Sequence, residues 1–436
     1  MAPRHIFASP AAPETDRRPV VDEHHGIRRT DDYAWLRAGN WQEVFRDPDV
    51  LASDIRAHLE AENAYQEKLM ADTTELQAKL FQEMKGRIKE DDSSVPMKDG
   101  PYAYGTSFKL GGQHPRYFRT PRDGGEQAIF LDGDAEAEGH PYFRIGGVGH
   151  SSDHKRLLWG FDDKGSEFFT LRVRDLATGA DGSDEVPDTG GDGVWTADNS
   201  AFFYTRMDEN HRPSKVFLHK VGTPASEDRL IFEETDPGFF VSVGGTRDNR
   251  WIFISIHDHE TSEYRIIPAD DPLAELRIVS PRLTERQYDL EEGGDVFFIL
   301  TNADGAKDFK IVTAPVSDPD PANWKELVSH EQGRLILSIL AFKNFLVRLE
   351  RKDGLPRIVI RDRATGEEHA IDFAEEAYSL GLSGSYEYDT ETIRFSYSSM
   401  TTPSQLFDYD MRTRERTLLK TQEVPSGHNP DDYVTR

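Results

Sequence analysis

A serine between glycines marks the nucleophile of an α/β-hydrolase, because small neighbours let the backbone take the strained strand-to-helix turn that exposes the hydroxyl. The stretch Gly381-Leu382-Ser383-Gly384-Ser385 comes nearest to this pattern but ends in serine where the second glycine belongs. It lies among β-rich runs with no helix to follow, so a loop connecting two blades is expected there. His257-Asp258-His259-Glu260 is the metal-like cluster, since residues two apart on a strand project to one face and could offer two imidazoles. The same residues also make a polar hairpin turn closing WIFISIHD, and that reading is preferred. His24-His25 reads as surface sequence near the amino terminus. No metal and no cofactor are expected, and no catalytic residue can be assigned. The chain contains no GxxxxGK[ST], no HExxH and no GxGxxG after a strand. It also has no cysteine, which removes thiolate nucleophiles, disulfides and cysteine zinc sites and agrees with a reducing compartment.

The elements around these residues fall into two textures. Residues from about 31 to 90 read as helical: Leu51, Ile55, Leu59, Glu62, Tyr65 and Leu69 recur three or four apart, and no glycine or proline interrupts 49–85. Pro48 suits a first helical turn and Asp47 its cap, which predicts an ordered helix over 48–70. From Val95-Pro96 onward the sequence breaks into short β-rich runs separated by Gly, Asp, Asn and Pro.

Within this β region seven turn-like anchors each precede an apolar strand: Lys98-Asp99-Gly100, Asp153-His154-Lys155, Asp198-Asn199-Ser200, Asp248-Asn249-Arg250, Glu292-Gly293-Gly294, Phe342-Lys343-Asn344 and Tyr388-Asp389-Thr390. They fall about 45 to 54 residues apart, the length of a four-stranded blade. The expected fold is therefore mainly β, a seven-bladed β-propeller preceded by an N-terminal helical arm. Hairpins of this kind cannot bury both faces alone, so Trp159, Trp195 and Trp251 are expected to pack between blades rather than to serve as ligand platforms.

Charge narrows the partners. The 436 residues carry a formal charge of −27 with no lysine or arginine cluster large enough for a nucleic-acid footprint, so no nucleic acid is expected. No window approaches the roughly 18 apolar residues of a membrane span, and the opening MAPRHIFASPAAPETDRRPV lacks an apolar signal core. No membrane partner and a cytoplasmic location follow as expectations. An acidic surface keeps a protein soluble, and it also attracts cationic ligands.

Several longer strings carry a family resemblance. HHGIRRTDDYAWLR (24–37), AENAY (61–65), GRIKEDDSSVP (86–96), GSEFFTLRVRDLATG (165–179) and the ending TPSQLFDYDMRTRERTLLKTQEVPSGHNPDDYVTR resemble the non-catalytic half of oligopeptidase B, in the prolyl oligopeptidase superfamily of serine peptidases. The resemblance runs from about His24 to the last residue. It implies a propeller that gates an α/β-hydrolase domain, admits short peptides and excludes folded proteins, in an enzyme cutting after arginine or lysine through a Ser-Asp-His triad. The triad motifs belong to the catalytic domain and have no counterpart here, so the chain by itself is expected to be inactive. The implied layout is an N-terminal extension and helical arm over 1–94, the propeller over 95–420 and a linker toward the catalytic domain over 421–436. The implied partners are that α/β-hydrolase domain and short cationic peptides. Glu167 matches a propeller position that in some relatives contacts the catalytic domain by a salt bridge on closure, which makes it the inter-domain gating candidate.

Two other readings compete with this one. A free-standing propeller acting as a protein-interaction scaffold is the alternative, since fold alone does not decide function. It leaves the long apolar stripe of the helical arm without a use. A lectin-like propeller is disfavoured, because no aromatic-polar motif recurs in each blade.

Overall fold

The computed structural model describes residues 10–435. Residues 1–9, the start of the stretch read for a signal core, and residue 436 lie outside the described residues. The chain divides into two compact units: one runs to Ile88 and takes in Lys164–Ser166, and the other holds Lys89–Asp163 and everything from Glu167 on.

The first unit opens with a hairpin of Val20–His24 and Ile27–Asp31, turned by His25 and Gly26, both at positive φ. Its main helices are Ser53–Met70 and Thr74–Lys85. The helix expected over 48–70 therefore starts later than the sequence suggested. Asp47 does accept the amide of Asp49, at 3.0 Å, but it caps a separate single turn, Pro48–Val50. The Arg56 guanidinium reaches back to the Pro48 carbonyl, an oxygen that a continuous helix would pair with the amide of residue 52. Ile55 is the buried residue of the longer helix, whereas Leu76, Leu80, Phe81 and Met84 of Thr74–Lys85 stand exposed along one stripe. No described helix is long and apolar enough to cross a membrane.

The second unit is built of antiparallel sheets whose strands follow one another in sequence. The expectation of seven blades is overturned: five separate four-stranded blades are found, and the remaining strands form one continuous seven-stranded sheet. The cause is a single strand, Asp181–Trp195. Its first half pairs with Phe169–Asp175 (Val186 opposite Leu171) and its second half with Ala201–Met207 (Val194 opposite Phe203). At Thr189 to Gly193 the register shifts, and Gly191 sits at φ 95°, so the chain changes neighbours without leaving the sheet.

Sheets pack face to face through apolar clusters drawn from adjacent ones. In one of these, Phe342, Val347, Ile358 and Ile360 of the Arg334–Ala370 region meet Ile393, Phe395 and Tyr409 of the last blade. Trp159 is buried in a cluster with Leu131 of the first blade and with Phe143, which directly precedes the strand Arg144–His150, while Trp195 and Trp251 flank two further clusters. Trp159 is thus a packing group, whereas Trp195 both packs and lines a cavity.

The first blade (Met97–Asp99 through Ala128–Asp132) and the last (Ser379–Ser383 through Arg416–Thr421) share no strand. Polar contacts latch them instead. Arg394 donates from Nη1 to the carbonyls of Val95 and Pro96, both at 3.0 Å, while its Nε and Nη2 grip Asp408. Lys420 meets Asp92 at 2.6 Å. Replacing Arg394 by methionine removes the donor to both carbonyls and leaves Asp408 unpaired, so a loss of about 1–3 kcal/mol in urea unfolding is expected. A change within error would mean that apolar packing alone closes this seam.

Candidate functional site

The anchors read from the sequence are tight turns at the ends of the innermost strands. Five of the seven place a residue at positive φ: Gly100, His154, Asn199, Asn249 and Gly294. Three share one hydrogen-bond pattern, in which a hydroxyl two residues before an aspartate donates to its carboxylate: Ser151 to Asp153, Thr196 to Asp198 and Thr246 to Asp248, at 2.6–2.7 Å. These turns surround a cavity of about 280 Å³ lined by Asp99, His150, Ser152, Thr196, Arg247 and Tyr386, among others.

One side of the cavity is aromatic and carries an aspartate–histidine pair. His150 Nε2 lies 2.6 Å from Asp99 Oδ2, and the His150 ring stacks on Tyr104 with centroids 3.7 Å apart and planes 4° from parallel. Tyr386 presents its edge to His150 at 5.0 Å. Tyr104 Oη sits 2.9 Å from Nδ1 of His154. Burial pushes the Tyr104 phenol up to about 12, although the hydrogen bond and charge of Arg119 act the other way. Burial also lowers His154, with the Asp99 charge opposing it, which favours a neutral ring.

The opposite side is ionic. Arg247 reaches from its turn to the Ala341 carbonyl at 2.9 Å and to Glu291 Oε2 at 3.3 Å, and Glu291 in turn accepts the Ala341 amide at 3.1 Å. Burial raises the Glu291 carboxyl, and the nearby Arg247 charge only partly offsets this. A second cavity opens at the other ends of the strands, lined by His257, Asp258, Tyr264, Tyr288 and Asp289.

Ser383 ends the strand Ser379–Ser383 and pairs with Arg394 of Thr392–Ser398, so the nucleophile-like stretch begins in a strand rather than in the expected loop. Asp258 accepts the amides of Glu260 and Thr261 at 2.7 and 2.6 Å, making the His257–Glu260 segment an aspartate-capped turn. Glu167 sits at φ 61° with its amide donating to Asp162 at 2.8 Å, and its exposed carboxylate lies 3.6 Å from Arg144. Such a loose exposed pair contributes little stability.

The sequence family described as prolyl oligopeptidase, N-terminal beta-propeller domain, matches residues 13–422. The chain belongs to that family. It is 35% identical to dipeptidyl aminopeptidase BI of Pseudoxanthomonas mexicana over 99% of this chain and 60% of that protein, and 28% identical to protease 2 of Moraxella lacunata over 97% and 60%. Among solved structures it is similar to oligopeptidase B from Leishmania major (TM-score 0.89, 27% identity, covering 97% of this chain and 62% of that one). Oligopeptidase B from Trypanosoma brucei, in a closed form with covalently bound antipain, gives the same TM-score at 28% identity, over 98% and 62%. The chain thus spans about 60% of the length of the relatives it matches.

In this prolyl oligopeptidase propeller the sequence reading had not singled out Asp99, Tyr104, His150, Arg247 or Tyr386. One signal was available, because Asp99, like the neighbouring His154, lies inside an anchor read only as a turn. His150 carried no local signature. It matters because the innermost strand ends at the cavity, a placement that only the assembled sheets supply.

Proposed function

We infer that this chain is the substrate-gating propeller portion of an oligopeptidase B-like serine peptidase that cuts short peptides after arginine or lysine. The likeness to two oligopeptidase B structures along nearly the whole chain is the observation that carries this reading. The formal charge of −27 supports cationic peptides as substrates, because a negative field raises their encounter rate. The exposed stripe Leu76, Leu80, Phe81 and Met84 supports an α/β-hydrolase domain as the partner of the helical arm. In this reading 1–94 is the arm, 95–420 the propeller and 421–436 the linker toward the catalytic domain. Glu167 acts at the hinge, exchanging its loose contact with Arg144 for a closed-state partner on the catalytic side.

Joined to its α/β-hydrolase domain, the protein is expected to favour an arginyl over a prolyl amide reporter at least tenfold in kcat/KM. That kcat/KM should fall as salt rises, since exposed charges are screened over about 8–10 Å at ordinary ionic strength. Glu167→Gln should flatten the salt slope or shift the open-to-closed balance. A preference for prolyl substrates would refute the specificity, and an unchanged slope and balance would remove Glu167 from the hinge.

A further inference from the structure

We propose that Asp99, His150 and His154 form a binding site for a divalent transition cation of the zinc type at the edge of the central cavity, clamping the first blade to the seven-stranded sheet. One donor atom from each residue lies within 4.8 Å of the others. A tetrahedral zinc with bonds of about 2.0–2.1 Å needs its donors roughly 3.4 Å apart. The Asp99 to His150 contact at 2.6 Å is tighter than that and the donor set extends to 4.8 Å, so side-chain rotations must open the first pair and draw His154 toward the other two.

The donor types select the ion. Two imidazoles and one carboxylate suit zinc and its neighbours, whereas calcium and magnesium call for more oxygen ligands than one carboxylate supplies. Three protein ligands leave a fourth position, and the adjoining cavity of about 280 Å³ has room for water there. The ligands are also held in place. His150 is clamped between the face of Tyr104 and the edge of Tyr386, and the Tyr104 hydroxyl engages His154 at one ring nitrogen, leaving the other for a metal. Such outer partners fix ring orientation in metal sites.

The cluster also has a structural consequence. Asp99 closes the strand Met97–Asp99 of the first blade, whereas His150 ends Arg144–His150 and His154 forms the next turn of the seven-stranded sheet. A bound cation would therefore tie two sheets that share no hydrogen-bonded strand. Because metal binds the folded state, it should raise the unfolding temperature in proportion to the logarithm of its concentration.

The test uses the untagged 436-residue chain, stripped with a chelator and titrated with zinc chloride by calorimetry and with cobalt(II) by visible absorption. One equivalent is expected at micromolar affinity, with tetrahedral cobalt bands and a raised Tm. Asp99→Asn and His150→Gln should each weaken binding at least 100-fold, and Tyr104→Phe about tenfold. His154→Gln, a change at a turn, provides the readout if the strand variants fail to fold, and it should abolish the cobalt bands. The double variant His257→Gln/His259→Gln should bind as the parent does. Absence of saturable one-to-one binding, or binding that follows His257 and His259 instead, overturns the proposal.

Discussion

Replacement of His219 by glutamine should lower the unfolding free energy by about 3–5 kcal/mol, the cost of removing one partner from a buried ionic group. His219 is fully buried, with Nδ1 2.7 Å from Asp228 Oδ1 and Nε2 3.0 Å from Asp184 Oδ1. Both ring nitrogens face carboxylates, so both donate and the ring is an imidazolium. Asp228 also accepts the Tyr204 hydroxyl at 2.8 Å, and Asp184 accepts the Gly222 amide. Burial works against the charged ring, but the hydrogen bond to Asp184 and the charge and hydrogen bond of Asp228 outweigh it, so the His219 pKa is raised. Burial likewise opposes the Asp184 carboxylate, and its hydrogen bonds to His219 and Gly222 still hold its pKa below the ordinary value.

The two shifts have opposite signs in stability. The His219 contribution is complete below the unfolded value of about 6.5 and is lost as pH rises through the higher folded value. The Asp184 contribution is complete above about pH 4 and is lost as pH falls through its lower folded value. Stability from this cluster is therefore greatest between the two limits and declines on the alkaline side because of His219. Urea unfolding at pH 6 and pH 9 reads the effect: the alkaline decline should shrink in the glutamine variant. A cost under about 1 kcal/mol together with an unchanged decline would mean that the ring is held neutral.

Substituting valine for Gly191 should cost about 2–5 kcal/mol, because two penalties act at one residue. A side chain at φ 95° is strained wherever it stands, and a Cβ there would lie 2.7 Å from the Phe169 ring. Its neighbours give no relief. A Cβ on Gly160 would meet the Gly191 carbonyl oxygen at 2.3 Å, and one on Gly147 would meet Asp192 at 2.5 Å. Three stretches of backbone therefore approach one another where the strand Asp181–Trp195 changes partners. Gly149, at the end of the same inner strand as Gly147, has nothing within 4 Å of a built Cβ. Gly149→Ala should accordingly stay within about 0.5 kcal/mol in the same assay. If Gly191→Val unfolds with the parent, the bulge is not what joins the two halves of the seven-stranded sheet.

How much of this could be read beforehand depends on the range of the interaction concerned. The β texture, the helical arm and the hairpin anchors were legible because they rest on contacts a few residues apart. His154 and Asn199 occupy positive-φ turns, and Asp198 and Asp248 accept from Thr196 and Thr246 two residues away. The acid-capped turn at Asp258 is equally local, as is the glycine-poor run that became two helices. The number of blades was not legible. Counting anchors treats each as the start of a new sheet, whereas strand pairing at Val186 and Val194 decided that one strand serves two groups. Nor could spacing reveal that Arg56 would take the Pro48 carbonyl and end a helical turn before Ser53.

Chemistry divides in the same way. The amino-acid sequence by itself determined the acidic balance, the absence of cysteine and the lack of a glycine-flanked nucleophile, because these are properties of residue type and adjacent spacing. Only the tertiary structure decided that Asp99 meets His150 across 51 positions, that Asp184 and Asp228 enclose His219, and that Arg247 reaches Ala341 across 94. Those contacts join different strands or sheets, and a charge buried among them is set by burial and by partners that no local window contains.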